Sequence, residues 1–461
     1  MAVKALVLAA GAGTRMKSNA PKVLLDLAGL PLLEWVLDAL APIALDEVAV
    51  VVGHGAGEVE KILPAGISTR VQEQQLGTGH AVRAGLKGMD VAGTTILVLP
   101  GDMPLLTEST IERLLEAHHE GKAASTVLTA DVEGSDFGRI LRNEAGHLVR
   151  IVEVRDADRE EVAVTEVNGG VYVFEGDLLG EALDKLTTNN AQGEYYLTDV
   201  IGLLVEAGHK VETVATDAVE LTGVNSHQQL ADAARVVRNR INERWMSEGV
   251  WMQDPDRVYV GARVHLSAGV RLFPDVHLEG TTEVGTDSVV GPDVYALDTR
   301  IGAGARIWYS VLRGSSVGDG AEVGPYASLR PGSVLEASSK LGTFVETKNI
   351  RLGEGAKVPH LAYMGDADIG ARANVGAGSI TCNYDGVSKH PTKIGERAFI
   401  GSDTMLVAPV TIGDDAVTGA GSVITHDVPP GALGVERSEQ KEIRDYAARL
   451  EARKKRKQQG E

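Results

Sequence analysis

At 461 residues the chain has room for two or three domains with substantial cores, and its net charge of -19 argues against a nucleic-acid polymer as partner, though small anions can sit in local basic pockets. The 54 glycines and 4% aromatic content suit many turns around a thin aliphatic core, and a single cysteine, Cys382, excludes an intrachain disulfide and fits a reducing compartment. The apolar run Ala5 to Ala10 is too short for a signal core and no stretch approaches the roughly 20 apolar residues of a membrane span, so a cytoplasmic protein without membrane contact is expected.

Residues 1 to about 225 read as alternating strands and helices. Val3 to Ala10, Glu47 to Val52 and Thr95 to Leu99 have the apolar runs of strands. Gly79 to Leu86 and Thr107 to Glu120 have helical patterning, the second entered through a threonine cap. This alternation implies a mostly parallel, Rossmann-like α/β sheet, whose ligands sit at the carboxyl ends of the strands. Two loops leave that edge. Gly11-Ala12-Gly13-Thr14-Arg15-Met16, followed by Pro21-Lys22, lets the backbone approach a ligand and supplies Arg15 and Lys22 as charges for a triphosphate. The loop has neither the third glycine of the dinucleotide pattern nor the GK[ST] of the P-loop, so by itself it reads equally as a glycine turn with two solvated cations. Gly101-Asp102 ends the second informative strand, where a carboxylate can hold Mg²⁺, and Asn225 can complete the metal site. Between these loops, Gln72 and Gln75-Leu76-Gly77-Thr78-Gly79-His80 form another polar, glycine-rich turn before a helix.

Ser226 to Ser247 is amphipathic and reads as a connecting helix, which divides the chain into 1–225, a linker at 226–250, and 251–461. From Val260 to Ile424 an aliphatic residue returns every six positions. Val260, Leu266, Leu272, Leu278, Val284 and Val290 form one run, and Val311, Val317, Val323, Leu329, Leu335 and Leu341 a second. Ile394, Ile400, Leu406, Ile412, Thr418 and Ile424 form a third. Six fits short strands ended by tight turns, with one aliphatic side chain per strand pointing inward: a parallel β-solenoid of about nine coils. Glycines such as Gly261, Gly285, Gly318, Gly342 and Gly401 directly follow the aliphatics, where turn dihedrals are expected.

The repeat breaks twice. Lys357-Val358-Pro359-His360 places a histidine in the ladder, and Thr381-Cys382-Asn383-Tyr384-Asp385 begins an insertion. A histidine suits proton removal from an amine near neutrality, and Arg330 and Lys348 in neighbouring coils can grip a sugar phosphate. The competing reading makes His360 a surface histidine and the solenoid a structural assembly module. Cys382 lacks an adjacent base and reads as a packing residue. After Val428-Pro429-Pro430 the hexads stop, and Ser438 to Lys457 reads as a terminal helix whose end, Arg453-Lys454-Lys455-Arg456-Lys457, is a solvated charge run.

The signature Leu8-Ala9-Ala10-Gly11-x-Gly13-Thr14-Arg15-Met16 with Pro21-Lys22 resembles that of the sugar nucleotidyltransferases. With the Gln75 to His80 loop and the solenoid behind it, nearly the whole chain resembles the bifunctional N-acetylglucosamine-1-phosphate uridyltransferase / glucosamine-1-phosphate acetyltransferases. The resemblance implies that Leu8, Ala9, Ala10, Gly11, Gln72, Gly77 and Thr78 hold the uridine of UTP. It implies that Lys22 neutralises phosphates, that Asp102 and Asn225 ligate Mg²⁺, and that Gly138, Glu153 and Asn168 hold N-acetylglucosamine 1-phosphate. Pro100 and Phe137 depart from aromatic and tyrosine positions of some relatives. In the solenoid it implies His360 as general base, with Glu346 orienting it, and Arg330, Lys348, Tyr363, Asn374 and Asn383 around glucosamine 1-phosphate. Ala377, Tyr384, Ser402, Ala420 and Arg437 are implied for acetyl-CoA. It further implies a left-handed parallel β-helix and a homotrimer.

Overall fold

The computed structural model describes residues 2–11, 16, 21–53 and 55–458. The chain divides into two compact units, Met1–Glu243 and Arg244–Glu461.

The first unit is built on a mixed sheet. Its central strands, Ala2–Ala9, Glu47–Val52 and Thr94–Pro100, are parallel, as are Ser68–Val71 beside Glu47–Val52 and Val211–Ala215 beside Ser125–Asp131. Glu166–Glu175 runs antiparallel between Thr94–Pro100 and Ser125–Asp131. Alternation along a strand sends successive side chains to opposite faces, and both faces are covered. Val3, Ala5, Val7, Leu97 and Leu99 pack with Leu33, Ile111 and Leu114 on one side, and Leu6, Val51, Ile96 and Val98 pack with Val82, Leu179 and Val200 on the other. The helix Glu108–Gly121 starts at Thr107, whose hydroxyl accepts from the Thr110 amide at 3.4 Å. The helix His227–Ser247 is entered at Ser226, whose Oγ accepts from the Gln229 amide at 3.2 Å.

The second unit is a parallel β-helix: Val258–Val260 pairs with Val276–Glu279, and that strand with Val294–Leu297, so each strand lies on the third strand after it. Val260, Leu266, Leu272, Leu278, Val284 and Val290 are all buried, as the six-residue period requires. Between residues 296 and 317 the coils are shorter and the inward residues become Ala296, Ile301, Ile307, Leu312 and Val317. The second aliphatic run therefore begins inward at Leu312 and not at Val311, which is only half-buried.

Of the glycines after the aliphatics, Gly291 (φ 102°) and Gly324 (φ 108°) take the expected turn dihedrals, but Gly318, Gly342 and Gly401 are there for a different reason. A Cβ on Gly342 would lie 2.0 Å from the Pro359 carbonyl oxygen, and one on Gly318 or Gly401 would strike backbone of the next coil at 2.6 and 2.5 Å. These residues allow close stacking of coils. The left-handed corners are occupied mostly by other residues, among them Tyr326 (φ 59°), Phe344 (φ 56°) and Asp366 (φ 49°). The terminal helix is also shorter than expected. It spans Tyr446–Gln458, with the preceding segment from residue 438 irregular, and it buries no side chain to extend it.

Candidate active sites

In the first unit, Gly101 follows the strand Thr94–Pro100 and its amide donates to the Leu8 carbonyl at 2.9 Å, so the two informative strand ends lie side by side. The Val224 amide donates to the Asp102 carbonyl at 3.0 Å, which brings Asn225 to the same place. Lys22, in the turn Lys22–Leu24, reaches both: its Nζ binds Asp102 Oδ2 and donates to Asn225 Oδ1 at 2.8 Å. Two oxygens from distant loops thus converge on one positive charge. That donor set, a carboxylate and an amide oxygen, fits a hard cation such as Mg²⁺, which takes oxygen ligands and keeps others from water and substrate phosphates. Among the described residues no three acidic, histidine or cysteine side chains gather around a metal position.

Asp102 and Asn225 open onto a cavity of about 610 Å³ whose wall includes Pro100, Phe137, Gly138, Glu153 and Asn168. Gly138 precedes the strand Arg139–Arg142, Glu153 follows Leu148–Val152, and Asn168 lies in Glu166–Glu175, three strands held in register. Arg139 pairs with Val152 and Val167, and the Asn168 amide donates to the Gly138 carbonyl at 2.9 Å. A bulge between Asn168 and Tyr172 re-aims the strand, with Gly170 in a left-handed conformation. Asn168 Nδ2 then donates to the Tyr172 hydroxyl at 2.7 Å, and its Oδ1 accepts from the Gly170 amide at 3.1 Å. Burial raises the Glu153 carboxyl above the ordinary carboxylate range; the Thr198 hydrogen bond at 3.2 Å opposes this, while the nearby Asp199 and Asp156 charges add to it.

The uridine candidates are more internally committed than the sequence suggests. Gln72 is buried and its Nε2 sits 3.2 Å from the Gly77 carbonyl and 3.0 Å from His80 Nδ1. Thr78 Oγ1 accepts from the Leu197 amide at 3.1 Å. Gly77, at φ 104°, packs so that a Cβ would lie 2.6 Å from the Tyr195 carbonyl oxygen. Ala9 and Ala10 are buried and Gly11 is exposed, with the Ala10 carbonyl accepting from Gln75 Nε2 at 2.7 Å. Gly13, Thr14 and Arg15 lie outside the described residues.

In the second unit the strands Lys340–Leu352 and Lys357–Ile369 lie side by side, with Thr343 opposite His360, Glu346 opposite Tyr363 and Lys348 opposite Gly365. Arg330 continues this face one coil earlier, its amide donating to the Thr347 carbonyl at 2.9 Å. Glu346 accepts from Arg330 Nη1 at 3.0 Å, and no hydrogen bond joins it to His360 among the described contacts. A Cβ on Gly365 would meet the Tyr363 hydroxyl at 2.5 Å and Asn383 Nδ2 at 2.7 Å, so both groups crowd that bare backbone. Lys389 lowers the Lys348 pKa by direct contact and charge, with burial and Arg330 contributing, so several cations face one another with few acids between them. Lys389 and Asp366 are the neighbours that sequence reasoning missed. Lys389 is carried there by the insertion, where Tyr384 bridges it antiparallel, and nothing in the hexad pattern marks it.

His360 is exposed beside the corner at Leu361. The Leu361 carbonyl accepts from the Gly378 amide, Ala377 from Asp403 and Ser402 from Gly421, so Ala377, Ser402 and Ala420 climb the corner that starts beside His360. Arg437 Nη1 donates to the Ala420 carbonyl at 3.0 Å, and Tyr384 is 60% exposed on the insertion. Asn374 is not brought to the Arg330–Lys348 face. It pairs with Lys357 and Phe399 on the next face, around the corner. Cys382 is half-buried, and burial raises its thiol pKa, which suits packing more than nucleophilic work.

A nucleotide-type sheet with a cation site at its ligand edge, followed by a hexad coil carrying a histidine and a cationic face, defines a two-site transferase. Residues 5–136 match the MobA-like NTP transferase domain, and residues 391–426 match the bacterial transferase hexapeptide (six repeats). The bifunctional protein GlmU of Streptomyces avermitilis is 48% identical over 452 residues, covering 96% of this chain and 94% of the relative. That of Heliobacterium modesticaldum is 46% identical over 447 residues, covering 96% and 98%. The chain belongs to the bifunctional GlmU family.

Proposed function

We propose how this bifunctional acetyltransferase and uridyltransferase of UDP-N-acetylglucosamine synthesis divides its work along the chain. The coil acetylates glucosamine 1-phosphate, and the sheet unit joins the product to UTP. The observation that carries the second assignment is the convergence of Asp102 and Asn225 on the single ammonium of Lys22, at the mouth of the Glu153–Asn168 cavity.

For uridyl transfer, N-acetylglucosamine 1-phosphate occupies the cavity, with its acetamido group against Gly138 and Glu153 and its ring against Asn168. Leu8 to Gly11, Gln72, Gly77 and Thr78 enclose the uridine through backbone and short side chains. A phosphate oxygen of the sugar attacks the α-phosphorus of UTP in line; the bond to the bridging oxygen breaks and pyrophosphate leaves. Such transfer needs positioning and charge neutralisation more than a general base. A divalent cation, Mg²⁺ by the chemistry of its oxygen donors, supplies charge for the phosphates when held by Asp102 and Asn225. Lys22 moves from those oxygens to the phosphates.

For acetyl transfer, Arg330, Lys348 and Lys389 take the sugar phosphate, Tyr363 and Asn383 take hydroxyls, and acetyl-CoA follows the corner of Ala377, Ser402 and Ala420 with Tyr384 and Arg437. The C2 amine attacks the thioester carbonyl while His360 accepts its proton. The carbon–nitrogen bond forms, the carbon–sulfur bond breaks, and the thiolate leaves to be protonated. Asn374 lies around the corner from this face, which fits sites completed between neighbouring subunits of a homotrimer. The chain works in the cytoplasm, which agrees with its having no helix long and apolar enough to cross a membrane among the described residues.

Separate assays of the two half-reactions test this division. Asp102→Ala is expected to abolish metal-dependent pyrophosphate release and leave acetylation within about twofold of wild type. Loss of both activities together would remove the case for separable sites.

A further inference from the structure

Arg139 is a wholly enclosed arginine, 1% exposed, and among the described contacts it has no carboxylate partner. Among the described contacts its guanidinium donates only to neutral oxygens. Nε reaches the Val162 carbonyl at 3.2 Å, Nη2 the Ser135 carbonyl at 2.7 Å, and Nη1 the Ser135 hydroxyl at 3.3 Å and the Phe137 carbonyl. A buried charge is a poor source of stability, since a packed apolar side chain of similar volume often serves as well. What the planar fork does that an apolar residue cannot is fix three main-chain carbonyls at once.

Two of those carbonyls, and the hydroxyl, belong to the segment from Gly134 to Gly138 that forms one wall of the active-site cavity. The third ends the short helix Arg159–Val162. In register, Arg139 lies opposite Val152 and Val167, and Gly138, Glu153 and Asn168 are the chain neighbours of these three paired residues. One side chain therefore ties the Ser135–Phe137 part of the wall to the strands beside its polar groups.

We infer that Arg139 is a positioning residue that sets selectivity for a 2-acetamido sugar phosphate over the same sugar without the acetamido group. This rests on the assignment of Gly138 and Glu153 to the acetamido group made above. Releasing the fork lets the Ser135–Phe137 backbone shift against Gly138, and displacements of about 1 Å near a reacting ligand change rates by up to about a hundredfold. The shift weakens contacts to the acetamido group and leaves a plain hydroxyl at that carbon little affected.

The experiment measures uridyl transfer by full-length enzyme to N-acetylglucosamine 1-phosphate and to glucose 1-phosphate, and takes the ratio of kcat/KM values. Arg139→Met is expected to lower that ratio about tenfold while the KM for UTP stays within about twofold. Arg139→Lys, which keeps a cation and fewer donors, recovers part of the ratio; should the Met variant melt below assay temperature, the Lys variant carries the same comparison. A ratio equal to wild type, with both rates unchanged or falling together, overturns the inference and leaves Arg139 as a folding residue. Glu153→Ala separates the two layers. If it lowers the ratio and the Arg139 variants do not, only the inference fails; if none of them lowers it, the sugar-site reading fails with it.

Discussion

Asn383, at the start of the insertion, donates from Nδ2 to Oδ2 of Asp366, one full coil earlier, at 2.6 Å. Asp366 also accepts from Asn349 at 2.8 Å. Burial pushes the Asp366 carboxyl up, but the two amides and the charges of Lys389 and Lys348 outweigh it and hold its pKa below the usual value. Asp366 is thus the anchor by which the irregular insertion is fixed to the regular coil.

Asp366→Ala should therefore release Asn383 and raise the KM for glucosamine 1-phosphate about tenfold, with uridyl transfer unaffected. Because the folded pKa is lowered, the stabilising contribution is present above the ordinary carboxylate pKa and is lost as pH falls through the folded value. Acid melting curves of wild type and variant should accordingly converge at the lowest pH. Curves that stay parallel there would show that the carboxylate does not anchor the insertion.

Glu153 has the opposite sign. Its pKa is raised, so ionisation costs the folded state, and stability present below the ordinary carboxylate value is lost as pH rises through the raised one. Glu153→Gln should raise the melting temperature of the sheet unit at neutral pH while weakening the KM for N-acetylglucosamine 1-phosphate. In wild type that KM should worsen as pH falls through the raised pKa, and in the variant it should be flat. A variant whose pH profile matches wild type would take Glu153 out of sugar binding.

The stacking glycines make a prediction about the coil. Gly342→Ala places a Cβ 2.0 Å from the Pro359 carbonyl oxygen and should destabilise the second unit by about 3 kcal/mol or more. Gly304→Ala, at φ 65° with nothing within 4 Å of the new Cβ, should cost about 1 kcal/mol. Chemical denaturation of the two variants ranks them, and the reverse order would mean that dihedral freedom, and not close approach, selects glycine beside the aliphatics.

Much of this was legible in the sequence because period and spacing are properties of one chain direction. The hexads gave the coil, and the strand ends gave Asp102 and the loop after Ala10. What escaped depends on partners far apart in sequence. Nothing around Glu346 shows that its carboxylate goes to Arg330, and nothing beside Lys389 shows that it faces Lys348. The family resemblance grouped Asn374 with Lys348, yet the two lie in different coils and a corner separates their faces. The inward register slipped from Val311 to Leu312 because coils near residue 300 lose a residue at a turn, which a strict count of six cannot see.

The central claim is that an exposed histidine beside one corner of the coil performs acetyl transfer independently of the cation site in the sheet unit. Thiol release from acetyl-CoA in the presence of glucosamine 1-phosphate measures this directly in His360→Ala. The expected result is a loss of about a hundredfold or more in acetylation with uridyl transfer unchanged. Acetylation at the wild-type rate in that variant would contradict the account.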